Sequence, residues 1–175
     1  MLLQNDRDYI AAALEELDAF LKSDQVHQAL PGPAGLPRLS LGALLVAQSR
    51  LAAAGMSGGE ALLEPLTAGL QARAALVAHK AARELPGRLG EWAALINDLD
   101  ERDISPAEYA ARVRLRVMLA RLTDQIRFPE PAWGRRLEEL DRRLQRLTRP
   151  AAFVWEDALE GGFPPEPFWY LYRGW

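Results

Sequence analysis

The chain has 175 residues, a net charge of −3 and no cysteine. That length supports one domain with a substantial core, and 49% hydrophobic with 26% charged residues excludes a disordered or fibrous chain. Without cysteine there is no disulfide, thiolate metal site or cysteine nucleophile, which fits a reducing, cytoplasmic setting. The opening residues, Met1-Leu-Leu-Gln-Asn-Asp-Arg-Asp8, lack a basic segment followed by an apolar run, so no secretory signal is expected.

Ile10, Leu14, Leu17 and Leu21 form one stripe of an amphipathic helix, predicted from about Asp6 to Leu30 with Asn5 as its cap. The run Pro31-Gly-Pro-Ala-Gly-Leu-Pro37 ends it. A second helix is expected from Ser40 to Ala54, stopped by Gly55. It lies in the longest weakly charged stretch, Leu39 to Met56. Gln48, Ser49 and Arg50 interrupt that stretch, and a span needs about 20 apolar residues, so it reads as a buried core helix and no membrane contact is expected.

Ser57-Gly-Gly-Glu60 has the pattern of a capping box and starts a third helix to about Leu85. Its small residues, among them Ala68, Gly69, Ala72, Ala74 and Ala75, predict close packing at the bundle centre. Pro86-Gly87 is expected to break the chain before a fourth helix marked by Leu89, Trp92, Ile96 and Leu99. Ser105-Pro-Ala-Glu108 opens a fifth helix to about Arg127. Trp133, Leu137, Leu140, Leu144 and Leu147 give a sixth its seam. Pro150 is predicted to open a short seventh helix through Glu160. Phe168-Trp-Tyr-Leu-Tyr172 prefers β structure. The expected fold is all-α: an irregular bundle of five to seven helices over residues 1–160, then an extended aromatic and proline-rich segment over 161–175, packed on the bundle or on a partner.

Charge is uneven. Residues 1–30 carry a net −4, whereas residues 102–150 hold twelve arginines against seven acids, a net +5. Arg135, Arg142, Arg146 and Arg149 recur at seven, four and three residues on one helix. Arg112, Arg114, Arg116 and Arg121 add a basic face on the helix before it. Such faces suit phosphate or carboxylate. The i,i+4 pairs Glu138–Arg142, Glu139–Arg143 and Glu108–Arg112 also suit plain solvated helices.

No phosphate loop, nucleophile elbow or zinc-protease motif occurs. Asp24-Gln-Val-His27 supplies a single carboxylate–imidazole step, too few ligands for a di-iron site. The acidic group Asn97, Asp98, Asp100, Glu101 and Asp103 lacks the glycine of a calcium loop, with Arg102 in a ligand position. No metal and no cofactor are expected. Arg73-Ala-Ala-Leu-Val-Ala-His79, an arginine followed by a histidine inside a helical bundle, resembles the motif of HEPN-type ribonucleases. That resemblance implies a dimer acting on RNA, with Arg73 stabilising phosphate charge and His79 moving a proton. A partly buried structural pair is the other reading.

Eight of the fourteen aromatic side chains lie in residues 151–175. That much apolar surface needs a cover: its own helices, a second copy or another molecule. The expected function is a non-catalytic helical interaction subunit of a larger assembly. Phe168, Trp169, Tyr170, Tyr172, Arg173 and Trp175 would anchor a protein partner or a second copy, with the arginine faces as further contacts. The alternatives are a HEPN-like RNA-cleaving or RNA-binding dimer and a small subunit of a nucleoprotein complex.

Overall fold

Helical periodicity becomes eight α-helices in the computed structural model, which describes residues 2–31, 35–55 and 59–175. They are α1 (Leu2–Lys22), α2 (Leu41–Ala53), α3 (Glu60–Ala72), α4 (Ala74–Asp100), α5 (Pro106–Arg112), α6 (Arg114–Asp124), α7 (Pro131–Leu147) and the short α8 (Pro165–Phe168). Two 3-10 turns, Asp157–Gly162 and Trp169–Tyr172, flank α8. Strands β1 (Arg149–Pro150) and β2 (Arg173–Gly174) pair antiparallel, with Arg149 opposite Gly174.

Several boundaries follow from local chemistry. The Ser40 side chain accepts from Ala43 N and caps α2, and Gly55 leaves α2 at φ +55°, a backbone conformation glycine adopts without strain. Ser105 and Glu108 form the expected capping box at α5. The box expected around Ser57 falls largely outside the described residues, and α3 starts at Glu60 without a side-chain cap.

Other boundaries differ from the sequence expectation. Helix α1 starts before Asn5, so Asn5 is not its cap, and it ends at Lys22 rather than Leu30. Lys80 from α4 explains the early stop. It is buried over the Phe20 ring, and its Nζ donates to Ser23 O at 2.6 Å and Gln25 O at 2.9 Å. A cation thus satisfies carbonyls at the helix C-terminus, where the dipole favours one. Beyond it, Gln28 and Leu39 form an isolated antiparallel bridge.

Helix α4 runs straight through Pro86, and the break falls at Arg73 instead. An interior proline costs about 3 kcal/mol. Burial of Leu85, Leu89, Trp92, Leu95 and Ile96 on the same helix offsets it, at about 1.5–3 kcal/mol for each large side chain. The expected fifth helix divides at Val113 into α5 and α6. There the Ala110 carbonyl accepts from Trp155 Nε1 at 2.9 Å, a side-chain donor arriving from the C-terminal segment.

The core centres on α2 and α4. Helix α2 packs on α1, α3, α4 and α6, and α4 packs on α1, α2, α3, α6 and α7. A methyl group on Gly42 would lie 2.9 Å from Glu84 Oε1 and 3.2 Å from Leu122, so this glycine permits the close approach of α2. The expected small-residue helix divides at Arg73: its second part opens the central α4, where Ala81 is buried, while its first part, α3, is peripheral, contrary to expectation. Within α3 only Leu66 and Leu70 are buried, and Ala68 and Ala72 face solvent. Alanine contributes little area, so the leucine-rich helices take the interior. No helix among the described residues is long and apolar enough to cross a membrane.

Candidate functional site

The aromatic segment lies against its own bundle. Phe163, Phe168, Tyr170 and Leu171 are buried, with Phe163 at 0% exposure. Rings step along the segment in edge contacts, Trp155 to Phe163 at 5.2 Å, Phe163 to Phe168 at 5.0 Å and Phe168 to Tyr170 at 6.2 Å. Such edge-to-face pairs add about 0.5–1.5 kcal/mol each beyond burial. Tyr109 Oη on α5 donates to Tyr170 O at 2.7 Å, and Tyr172 Oη donates to Phe163 O at 2.9 Å. Burial pushes the Tyr170 hydroxyl up to about 12, so it stays protonated. The residues expected as a β-prone strand form a helical turn, because each ring finds a slot on the bundle rather than a sheet edge. Phe168 and Tyr170 therefore present no ring to a partner. Trp169, Tyr172 and Arg173 are half-buried, and Trp175 keeps 42% exposure with its ring edge-on to Tyr109 at 5.5 Å.

The basic region and this segment meet, which separate readings of the two had not anticipated. The Arg116 guanidinium sits 4.7 Å over the Tyr170 ring, and Arg121 sits 5.3 Å over Phe168. Arg116 also holds Asp141 on α7 in a two-pronged pair at 3.0 and 2.9 Å. Arg173 lies over Trp169 and donates to Gln145 O at 3.1 Å and Thr148 O at 2.8 Å. It thereby secures the C-terminal end of α7.

The remaining arginines divide into paired and unpaired. Arg112 reaches Asp98 at 2.6 Å and Arg143 reaches Asp100 at 3.1 Å, so the acidic end of α4 is a receiver for arginines. The three i,i+4 pairs expected from spacing do not form. Glu108 is held by Ser105, and Arg112 and Arg143 turn instead to α4. By contrast Arg114, Arg135, Arg142, Arg146 and Arg149 are exposed, and none has a carboxylate within 4.0 Å among the described residues. Arg135, Arg142 and Arg146 share one face of α7 by their spacing, and Arg149 follows in β1.

Arg73 is bonded to α1 and α3 rather than to His79. Arg73 Nε donates to Asp18 Oδ1 at 2.8 Å and its Nη1 to Gly69 O at 3.2 Å, joining α3 to α1. His79 is exposed on α4, with no hydrogen-bond partner among the described residues. His27 Nε2 lies 3.1 Å from Arg88 Nη2. Arg88 also bonds the buried Glu84 at 2.8 Å and Ser40 Oγ at 2.9 Å, and Gly42 N donates to Glu84 Oε2 at 3.0 Å. This network ties α2 to α4. No group of three or more His, Asp or Glu among the described residues is placed to hold a metal ion.

Sequence reasoning missed one constellation. Arg50, on the central α2, is 8% exposed. Its Nε lies 3.2 Å from Asp6 Oδ2, its Nη2 4.0 Å from Glu156, and its guanidinium 5.5 Å over the Trp155 ring. Burial pushes the Asp6 carboxyl up to about 6, more than the attraction of Arg50 pulls it down. The only sequence signal was a lone arginine in an otherwise apolar helix. Compared with known proteins, the chain matches no family model, no curated protein and no solved structure at a significant level.

Proposed function

We propose that this protein is a cytoplasmic, non-catalytic helical interaction subunit that docks on an acidic protein surface through the outer face of α7. The observation that carries the reading is the set Arg135, Arg142, Arg146 and Arg149, exposed and with no carboxylate within 4.0 Å among the described residues, while Arg112, Arg116 and Arg143 are paired. Arg135 to Arg146 span about 16 Å at 1.5 Å per residue, and Arg149 follows beyond the end of α7. Arg149 pairs with Gly174, which precedes the half-exposed Trp175. Arginine and tryptophan are the side chains that most often dominate binding energy. The rest of the aromatic segment supports this surface from beneath by holding the end of α7 through Arg173.

The test is affinity purification from the native cell with the wild-type chain and with a variant carrying Arg135→Gln, Arg142→Gln, Arg146→Gln and Arg149→Gln. The expected result is a protein partner that elutes as salt rises and that the variant does not retain. An unchanged partner set removes the proposal. A partner lost on nuclease treatment transfers the same face to the nucleoprotein reading.

A further inference from the structure

A cavity of about 540 Å³ opens between α5 and the segment Val154–Glu156, with Arg50 of α2 at its back. That volume lies within the range of small-molecule sites, roughly 300–1,000 Å³. Its floor is smooth and apolar: Ala107, Ala110 and Ala111 stand along α5, and Trp155 and Val154 form the facing wall. Arg112 and Arg114 line the same space.

The polar groups are unevenly satisfied. Arg112 is held by Asp98 outside the cavity lining. Arg114 has no carboxylate within ion-pair reach among the described residues. Arg50 is nine-tenths buried: its Nε and Nη2 are closed in against Asp6 Oδ2 at 3.2 Å and Glu156 at 4.0 Å, and its Nη1 makes no hydrogen bond among the described residues. A guanidinium donor left free at a cavity wall is available to an acceptor there. The lining itself holds three arginines and one carboxylate, Glu156; Asp6 and Asp98 pair with Arg50 and Arg112 from outside it, which leaves Arg114 as the cation for an anionic ligand.

We infer that this cavity is a binding site for a small amphipathic organic anion, its acidic head between Arg114 and Arg50 and its planar apolar body between the alanine floor and the Trp155 ring. Carboxylate and phosphate monoester heads share this chemistry, and arginine accepts both in a forked arrangement. The site is separate from the α7 row, so its fate does not depend on that reading.

The probe is 2-naphthoate, titrated calorimetrically against its neutral analogue 2-naphthamide. The wild-type chain is expected to bind the acid saturably with a Kd below about 1 mM and the amide about tenfold more weakly. Arg114→Gln is expected to weaken the acid about tenfold and leave the amide unchanged, since this exposed side chain supports no packing. Ala111→Trp, an exposed helical position on the floor, is expected to abolish binding of both while circular dichroism stays that of the wild type. The α7 quadruple variant is expected to bind as the wild type does. Equal affinity for acid and amide, an Arg114→Gln variant that binds the acid normally, or no saturable binding of the acid below that concentration would each overturn the inference.

Discussion

The C-terminal aromatic segment and the outer face of α7 are the two parts of the chain richest in side chains that favour interfaces, and they resolve in opposite ways. The rings of Phe163, Phe168 and Tyr170 turn inward and find ring edges, a carbonyl and two arginine faces within their own bundle. Arg135, Arg142 and Arg146 of α7 turn outward and have no carboxylate within 4.0 Å among the described residues, unlike Arg136 and Arg143 on the same helix. A segment can thus be dense in binding residue types and still be saturated. Unfilled partners, not composition, separate a surface that is available from one already used.

The contrast breaks most directly if the aromatic segment is dispensable. Phe163→Ala is expected to cost about 3–5 kcal/mol in denaturant unfolding, and truncation after Gly161 to give an insoluble chain. A soluble, cooperatively folded truncation would mean that the rings are not core. Arg116→Ala, which removes the forked pair with Asp141 and the cover over Tyr170, is expected to cost about 2–3 kcal/mol. Arg142→Gln on the adjacent helix is the matched control.

Asp6 supplies a pH test of the buried side of the contrast. Its carboxyl binds a proton more tightly folded than unfolded, so its contribution is fully present below about pH 4 and is lost as pH rises through about 6. The wild type should therefore lose about 1–2 kcal/mol across that window relative to Asp6→Asn, allowing for partial solvent screening. Parallel stability curves for the two proteins would show that Arg50 fully compensates the burial.

Arg102 closes α4 at φ +58°, with Asp103 N bonded to Asp98 O at 2.8 Å. Arg102→Gly is expected to raise stability by about 0.5–1 kcal/mol, because glycine adopts that left-handed conformation at no steric cost. The smallest effect belongs to α7. Each Arg→Gln substitution at 135, 142, 146 or 149 should change stability by less than about 0.5 kcal/mol. A larger loss would mean that the row is structural and would align it with Arg116.

Much of the fold was legible. The all-α class, the burial of α2, its stop at Gly55, the Ser105 capping box and the α7 seam all rest on residues a few positions apart, where spacing alone carries the signal. The errors share a different origin. Pro86 predicted a break, but distant leucines held α4 together. Residues 23–30 read as helix, but Lys80 satisfies the carbonyls that end α1 more than fifty positions away. Glu108 and Glu139 stand four residues before arginines that turned to α4 instead. The Arg50 site was invisible because its members come from α1, α2, α5, α6 and the C-terminal segment.

The sequence by itself determined that this chain would be helical, where α2, α5 and α7 would begin, and that its last residues would need cover. Those outcomes depend on hydrophobic periodicity and on caps, which act within a few turns of one helix. Only the tertiary structure decided which arginines would be neutralised, that the aromatic segment would cover itself with its own bundle, and that Arg50 would be buried beside Asp6 and Glu156. Ion pairs, ring contacts and desolvation depend on which side chains come within a few ångströms of one another, and that is a property of the assembled fold.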